Sequence, residues 1–296
     1  MIEVLAWHPV DHRTKGTALV ILVTGATGNI GSALLKELLA RGVGPLRGLT
    51  RDAARAALPE GVEAVEGDLA DPETLKSGLR GARSLFLVSR LGPDAAVMEA
   101  ARTAGVEHVV LVSSITVQTH PHLGPAAENL AVERLLKASG MAWTILRPTQ
   151  FASNTLMWAE IIRGHDTVRA PYADTALPTV HPADIAAVAR VALTRPGHHG
   201  RTYALTGPEL VTAREQVAAI SAALGREVAF AEIDRGQAHA RMAAVFGADA
   251  ADAVLDVTGG DVNDELLTVH DTVPRITGTP ARPYRQWVAE NAHAFR

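Results

Sequence analysis

The sequence predicts an α/β protein, a doubly wound parallel sheet followed by a smaller C-terminal α+β region. Short apolar, β-branched stretches alternate with helix-spaced ones over the first half of the chain, a glycine turn closes the first strand, and the rhythm loosens after Pro148. The first strand runs from Ala18 to Val23, and after its turn Ser32-Ala33-Leu34-Leu35-Lys36-Glu37-Leu38-Leu39 reads at helical spacing. A second strand, 46–50, leads to an Ala-rich helix expected after Asp52. A third, 62–65, ends at Gly67-Asp68-Leu69, with a helix starting near Pro72, a residue suited to a first turn. The stretch 84–88, a helix over 94–104 and the strand 108–112 follow. Leu130, Val132, Leu135 and Leu136 mark the next helix, and 143–146 a sixth strand. Six such units with short connections require a parallel sheet covered by helices on both faces.

Beyond Pro148 the segments are punctuated by Pro and Gly. Helices are expected over 183–193, 213–224, 236–246 and 284–294, with short strands near Val180, 202–205 and 228–230. The expected organisation is an N-terminal extension over 1–17, a dinucleotide-type domain over 18–150 and a substrate-binding region over 151–296. No low-complexity linker separates the last two.

Of the 296 residues 47% are apolar and only 4% aromatic, so the interior is aliphatic and alanine-rich. A net charge of −4 and the absence of basic runs argue against direct nucleic-acid binding. No cysteine is present, which excludes thiolate nucleophiles and Cys-based metal sites. The first residues carry Glu3, Asp11, Arg13 and Lys15 rather than an apolar signal region, and no stretch is apolar enough to span a membrane; a cytoplasmic protein is expected.

Chemistry enters at Gly25-Ala26-Thr27-Gly28-Asn29-Ile30-Gly31, between a strand and a helix, the context that gives a glycine spacing meaning. Gly25 provides the tight turn, Gly28 lets the backbone approach a pyrophosphate, and Gly31 allows the helix to pack closely on the strand. Free N–H groups at the helix start, with the positive end of its dipole, attract the phosphates; Thr27 and Asn29 add side-chain hydrogen bonds. This is the phosphate turn of a Rossmann-type domain. Where an NAD site places an acid at the end of the second strand, this chain reads Thr50-Arg51-Asp52. A guanidinium at Arg51 pairs with a 2′-phosphate, so NADP(H) is preferred, while Asp52 keeps NAD(H) open. Asp68 is read either as a contact to the adenine edge or as the cap of a short turn.

Thr24-Gly25-Ala26-Thr27-Gly28-Asn29-Ile30-Gly31, Leu49-Thr50-Arg51, Gly67-Asp68-Leu69, Val112-Ser113-Ser114, Trp143-Thr144-Ile145-Leu146-Arg147-Pro148, His181-Pro182-Ala183-Asp184-Ile185-Ala186 and Thr206-Gly207-Pro208-Glu209 together resemble the NmrA-like atypical short-chain dehydrogenase/reductases. The resemblance covers most of the chain. It implies an NADP-binding domain and a small substrate domain, in a group that mixes quinone and ether reductases with proteins that only sense nicotinamide redox state. The cofactor positions read from the turn and the resemblance are Gly25, Thr27, Gly28, Asn29, Ile30, Gly31, Arg51, Asp68, Leu69, Val88 and Ser113.

The usual Tyr-x-x-x-Lys pair, whose lysine lowers the tyrosine pKa for proton exchange, is missing. Aligning Glu133 with the glutamate that follows the pair in extended relatives places Pro125 and Asn129 at the two positions, and neither does acid–base work. Ether reductases of the group use a lysine at the position of Asn129, so their mechanism does not transfer. Ser114 stands where the family has its active-site Ser/Thr and can orient a carbonyl. Of Thr116, Gln118, His120 and His122 beyond the same strand, His122 is the candidate titrating group. The two histidines lack a third ligand, and no metal site is expected. Arg147 to Phe151 should lie near the nicotinamide, with Asn154 and Trp158 facing the cleft, and His198-His199 is read as surface.

The leading expectation is an NADP(H)-dependent reductase passing hydride directly to a small molecule, a quinone or conjugated aromatic carbonyl, whose ring delocalises the charge. The alternative is a non-catalytic NADP(H)-binding sensor that docks onto a protein partner according to redox state.

Overall fold

In the computed structural model the described residues are 20–165 and 167–296; the expected extension over 1–17, and the start of the first strand, fall outside them. In chain order the strands are β1 (Val20–Val23), β2 (Leu46–Thr50), β3 (Val62–Glu66), β4 (Ala82–Val88), β5 (His108–Val112), β6 (Ala142–Pro148), β7 (Thr167–Ala170), β8 (Leu177–Pro178), β9 (Arg201–Leu205), β10 (Leu210–Val211) and β11 (Ala229–Glu232). Seven of them form one parallel sheet in the order β3-β2-β1-β4-β5-β6-β9. The order reverses between β1 and β4, which opens the crevice beyond the strand ends where open α/β sheets bind ligands.

Period-two alternation along the strands divides the interior into two layers. Ile21, Val23, Phe86, Val110, Val112 and Leu146 face the helices Asn29–Leu39 and Pro182–Thr194. Leu22, Leu85, Leu87, Val109, Leu111 and Ile145 face the helices Asp94–Thr103 and Gly124–Ala138. Each such aliphatic side chain, once fully buried, stabilises the fold by about 1.5–3 kcal/mol. A separate core around Trp158, Ile162, Val168, Ile220, Trp287 and Phe295 belongs to the C-terminal region, where β7 pairs with β11 and β8 with β10.

Two expectations change. The Ala-rich stretch after Asp52 is a turn followed by extended chain, not a helix. Its connection runs close over the sheet: a Cβ on Gly48 would lie 2.7 Å from Leu58 Cδ1, so Leu58 occupies the space that glycine leaves, and Pro59 disfavours helical backbone at the residue before it. Alanine propensity loses to this contact. Second, the strand expected at 202–205 is not peripheral. As β9 it is the seventh strand of the main sheet, beside β6, and the helix Pro182–Thr194 before it packs on Asn29–Leu39. Residues 182–205 therefore return to the sheet from beyond the expected boundary at 150/151.

The motif His181-Pro182-Ala183-Asp184 anchors that return. His181 caps the helix, its Nδ1 accepting from Ala183 N at 3.0 Å, while Nε2 lies 3.2 Å from a Glu290 carboxylate oxygen. Asp184, buried, accepts from the Arg282 backbone N at 2.7 Å and pairs with its guanidinium. Burial raises the Asp184 pKa despite that partner. These bonds fasten the end of the chain to the main sheet.

At the opposite end of the strands from the crevice, His108 is buried, its Nε2 3.1 Å from the Thr144 hydroxyl and its ring 4.4 Å from that of His199. His198, expected at the surface, is half-buried with Nδ1 2.9 Å from the Tyr203 hydroxyl; His199 is exposed as expected. Burial first, then the neighbouring His199 and His198 charges, lower the His108 pKa from 6.5 to about 4. Because the unfolded chain binds that proton more readily, the neutral ring stabilises the fold fully above pH 6.5, and the contribution is lost as pH falls toward 4. Denaturant titrations over that range should show wild type losing up to about 3 kcal/mol relative to His108→Gln; parallel pH dependences would remove this role.

Candidate active site

The turn after β1 is built on backbone contacts. Thr24 is buried, its N donates to Phe86 O at 3.0 Å, and its hydroxyl accepts from Val88 N at 3.4 Å, tying the turn to β4. Gly25 follows at φ +58°, a left-handed conformation that costs glycine little, and Gly28 N donates to Gly25 O at 2.9 Å. A Cβ on Gly31 would fall 2.2 Å from the Gly25 carbonyl oxygen. The close approach Gly31 permits is thus to the turn itself rather than to the strand.

The helix Asn29–Leu39 starts from Gly28 with no side-chain cap and no acidic residue in its first turn. Thr27, Gly28 and Asn29 are exposed, whereas Ala26 and Ile30 are buried, so Ile30 offers only its backbone N–H. Uncapped N–H groups and the positive dipole end fit a diphosphate. Val88 closes the turn from β4, its Cγ2 3.9 Å from where a Gly25 Cβ would stand.

Around this cradle the other candidates take distinct roles. Arg51 is exposed and makes no hydrogen bond or ion pair among the described residues, while Asp52 is engaged, accepting from Ala54 N and Arg55 N at 3.1 Å each and pairing with Arg55 at 3.6 Å. Asp68 takes the turn-cap role, accepting from Ala70 N at 2.9 Å; Leu69 is buried, its carbonyl oxygen 2.0 Å from where a Gly92 Cβ would stand. Ser113 is buried and donates to Glu133 at 2.8 Å. Glu133, wholly buried, also accepts from Arg147 Nε and Nη2 at 2.9 and 2.7 Å. Burial opposes its ionisation, yet the hydrogen bonds from Arg147 and Ser113 and the charges of Arg147 and Lys137 outweigh it and hold the carboxyl below its usual range.

Ser114, half-buried beyond β5, shares a 2.8 Å hydrogen bond with the Thr116 hydroxyl and accepts from Thr116 N at 3.2 Å. His122 is 62% exposed, its Nε2 3.8 Å from an Asp261 carboxylate oxygen. His120, by contrast, is fully buried, with Nδ1 2.8 Å from the Thr119 hydroxyl and Nε2 2.5 Å from Asp261 O. Asn129 is buried too: its Oδ1 accepts from Ser89 Oγ at 2.7 Å and its Nδ2 donates to Pro125 O at 3.0 Å. The amide is held on both sides, between the end of β4 and its own helix.

Beyond β6 opens a cavity of about 540 Å³, walled largely by apolar side chains. Asn154 and Trp158, expected to face a cleft, line it together with Gln150 and Phe151, which were expected near the nicotinamide. Sequence reasoning missed Arg169, Tyr172, Arg241 and Phe246, which line the same cavity. Tyr172 sits at φ +55° and fits because Gly259 lacks a side chain, a Cβ there falling 2.1 Å from Tyr172 Cγ; its hydroxyl accepts from Arg235 Nη1 at 3.1 Å. No local pattern announces a contact between residues so far apart. Among the described residues no group of histidines and carboxylates could hold a metal, and no helix is long and apolar enough to cross a membrane.

A family model described as NAD(P)H-binding matches residues 25–196, more than half of the chain. The chain belongs to that family. Among its relatives, a (4-alkanoyl-5-oxo-2,5-dihydrofuran-3-yl)methyl phosphate reductase of Streptomyces griseus subsp. griseus is 41% identical, covering 93% of this chain and 99% of its own. An NAD(P)H azoreductase of Xenophilus azovorans is 39% identical over the same shares. The NADPH-dependent quinone oxidoreductase of Escherichia coli, solved with NADPH, superposes with a TM-score of 0.74 at 27% identity, covering 93% of this chain and 100% of its own. The NmrA-like atypical short-chain dehydrogenase/reductase resemblance stands, the protein is an NAD(P)H-dependent reductase, and NAD(P)H is its cofactor.

Gly31→Ala tests the cradle. The methyl group must displace a backbone carbonyl, so NADPH binding followed by nicotinamide fluorescence should weaken about 100-fold or more, with a lowered melting temperature. Unchanged affinity would show that the turn tolerates a Cβ after all.

Proposed function

We propose that this reductase takes NADPH in preference to NADH and reduces a conjugated, electron-poor acceptor without a tyrosine–lysine pair. The observation that carries the reading is Asn129, buried and hydrogen-bonded on both sides where the lysine of that pair would stand, with Pro125 at the tyrosine position. An isolated carbonyl needs a strong proton donor as its oxyanion develops; a conjugated acceptor spreads the charge and does not. When bound, NADPH supplies a hydride that adds to one end of the conjugated system, leaving NADP⁺ and an anion on the acceptor's oxygen or nitrogen. Water then delivers the balancing proton. Ser114, tied to Thr116, orients the acceptor at the end of β5. The acyl-dihydrofuranone, azo and quinone names of the relatives share this electronic character, which supports the class and leaves the individual substrate open.

Cofactor preference rests on two neighbours. Among the described residues Arg51 has no partner, whereas Asp52 is spent on its own turn, so the pair presents a guanidinium rather than a carboxylate to the adenosine ribose. Arg51→Ala should weaken NADPH by about tenfold to 100-fold and leave NADH within about twofold. Equal losses for both cofactors would remove the 2′-phosphate role.

Reductases at 41% and 39% identity stand against a non-catalytic sensor. The direct test follows NADPH absorbance with a panel of quinones, enones and azo compounds. Saturable NADPH binding with no turnover across the panel would overturn the proposal. Within it, Ser114→Ala should lower kcat about three- to tenfold, the scale of one hydrogen bond, while His122→Ala keeps activity within about twofold because its ring is solvated. A large loss with His122→Ala would restore the histidine as proton donor.

A further inference from the structure

The wall of the cavity beyond β6 carries two charged side chains, Arg169 and Arg241, and neither an acid nor a lysine. Arg169 comes from β7 and Arg241 from the helix Arg235–Phe246, so two separate elements bring positive charge to one concave surface. Neither forms a hydrogen bond or ion pair among the described residues. Nearby arginines are engaged: Arg163 with the Ala294 carbonyl, Arg214 with Asp174, Arg235 with Asp252 and Asp256. In a chain of net charge −4, two unpaired guanidinium groups on an apolar wall point to an anionic partner.

The rest of the wall defines what that anion is attached to. Met157, Ile161, Val245, Phe246 and Val254 line the cavity yet remain between 37% and 73% exposed. So many large apolar side chains on one rim are unusual for a protein surface and suit a flat, apolar body. The cavity is also separate from the dinucleotide cradle: its residues follow β6, whereas the turn and Arg51 follow β1 and β2 on the other side of β4 and β5.

We propose that the cavity binds acceptors with an apolar conjugated body ending in an anionic group, carboxylate, phosphate or sulfonate, which Arg169 and Arg241 hold. The inference deepens the reductase reading by naming the class of acceptor, and it rests on that reading only for the cavity's use. A planar guanidinium matches any of these oxyanions with paired hydrogen bonds, and stacks on an aromatic ring adjoining them.

Binding without turnover separates the two ideas. Calorimetric titration with 2-naphthoate and its neutral counterpart 2-naphthamide should give about tenfold tighter binding of the acid at low ionic strength, a gap that narrows with added salt. Titration with 2-naphthyl phosphate in parallel tells which oxyanion is favoured. The double variant Arg169→Gln/Arg241→Gln should abolish the gap while leaving the amide and NADPH within about twofold. Turnover of a sulfonated naphthoquinone should then exceed that of its unsubstituted parent in wild type, through KM, and lose this advantage in the double variant. Equal affinity for acid and amide in wild type, or a gap that survives in the double variant, overturns the inference. A gap without turnover of any acceptor supports it and removes the reductase reading instead.

Discussion

Gly31 stands against the carbonyl oxygen of Gly25, closer than a Cβ would permit, and the cofactor end of the molecule depends on that contact. It seats the helix Asn29–Leu39 directly on the turn, so that its uncapped start adjoins the exposed residues Thr27 to Asn29. Other candidate cofactor residues lie around this fixed point. Val88 reaches the turn from β4, Thr24 ties it to the same strand, and Arg51 follows β2 with no partner among the described residues. A helix set further back would leave the N–H groups aimed at solvent rather than at one place.

A polar network organises the other half of the crevice. Ser113, Glu133 and Arg147 link the ends of β5 and β6 to the helix Gly124–Ala138, and Gln118 continues the chain by accepting from Arg147 at 3.3 Å and donating to Glu265 at 2.5 Å. Asn263 Nδ2 donates to Thr119 O, and His120 meets Asp261 O, so the segment after residue 256 is fastened across the strand ends at several points. Ser89 and Asn129 brace the neighbouring helix against β4.

Much of this was legible in the sequence. Period-two strands, helix-spaced apolar residues and the glycine turn specify the main sheet, its two-sided cover and the cofactor cradle, because each rests on local rules. Arg51 and Asp52 were legible only as a pair of alternatives; that Asp52 is engaged by Ala54 and Arg55, while Arg51 has no partner among the described residues, shows only in space. The turn after Asp52 was legible only at Pro59, since the contact of Leu58 with Gly48 appears only in space. The rest of the cavity lining was equally hidden: Tyr172 needs Gly259, and Arg169 and Arg241 come to one cavity from β7 and from the helix Arg235–Phe246. Both are long-range consequences of folding, without a signature in any short window.

The return of β9 to the main sheet has a consequence for how such a protein can change. The segments that line the cavity beyond β6 are two insertions, one between β6 and the helix Pro182–Thr194 and the other after β9, hung from a frame that the chain re-enters between them. Exchanging everything after residue 150 with a relative would tear out a strand and the helix that covers it. Grafting either insertion alone keeps the frame whole. Diversification of substrate range would then proceed loop by loop, with Asp184 and Arg282 acting as the fixed stitching that any new insertion must respect.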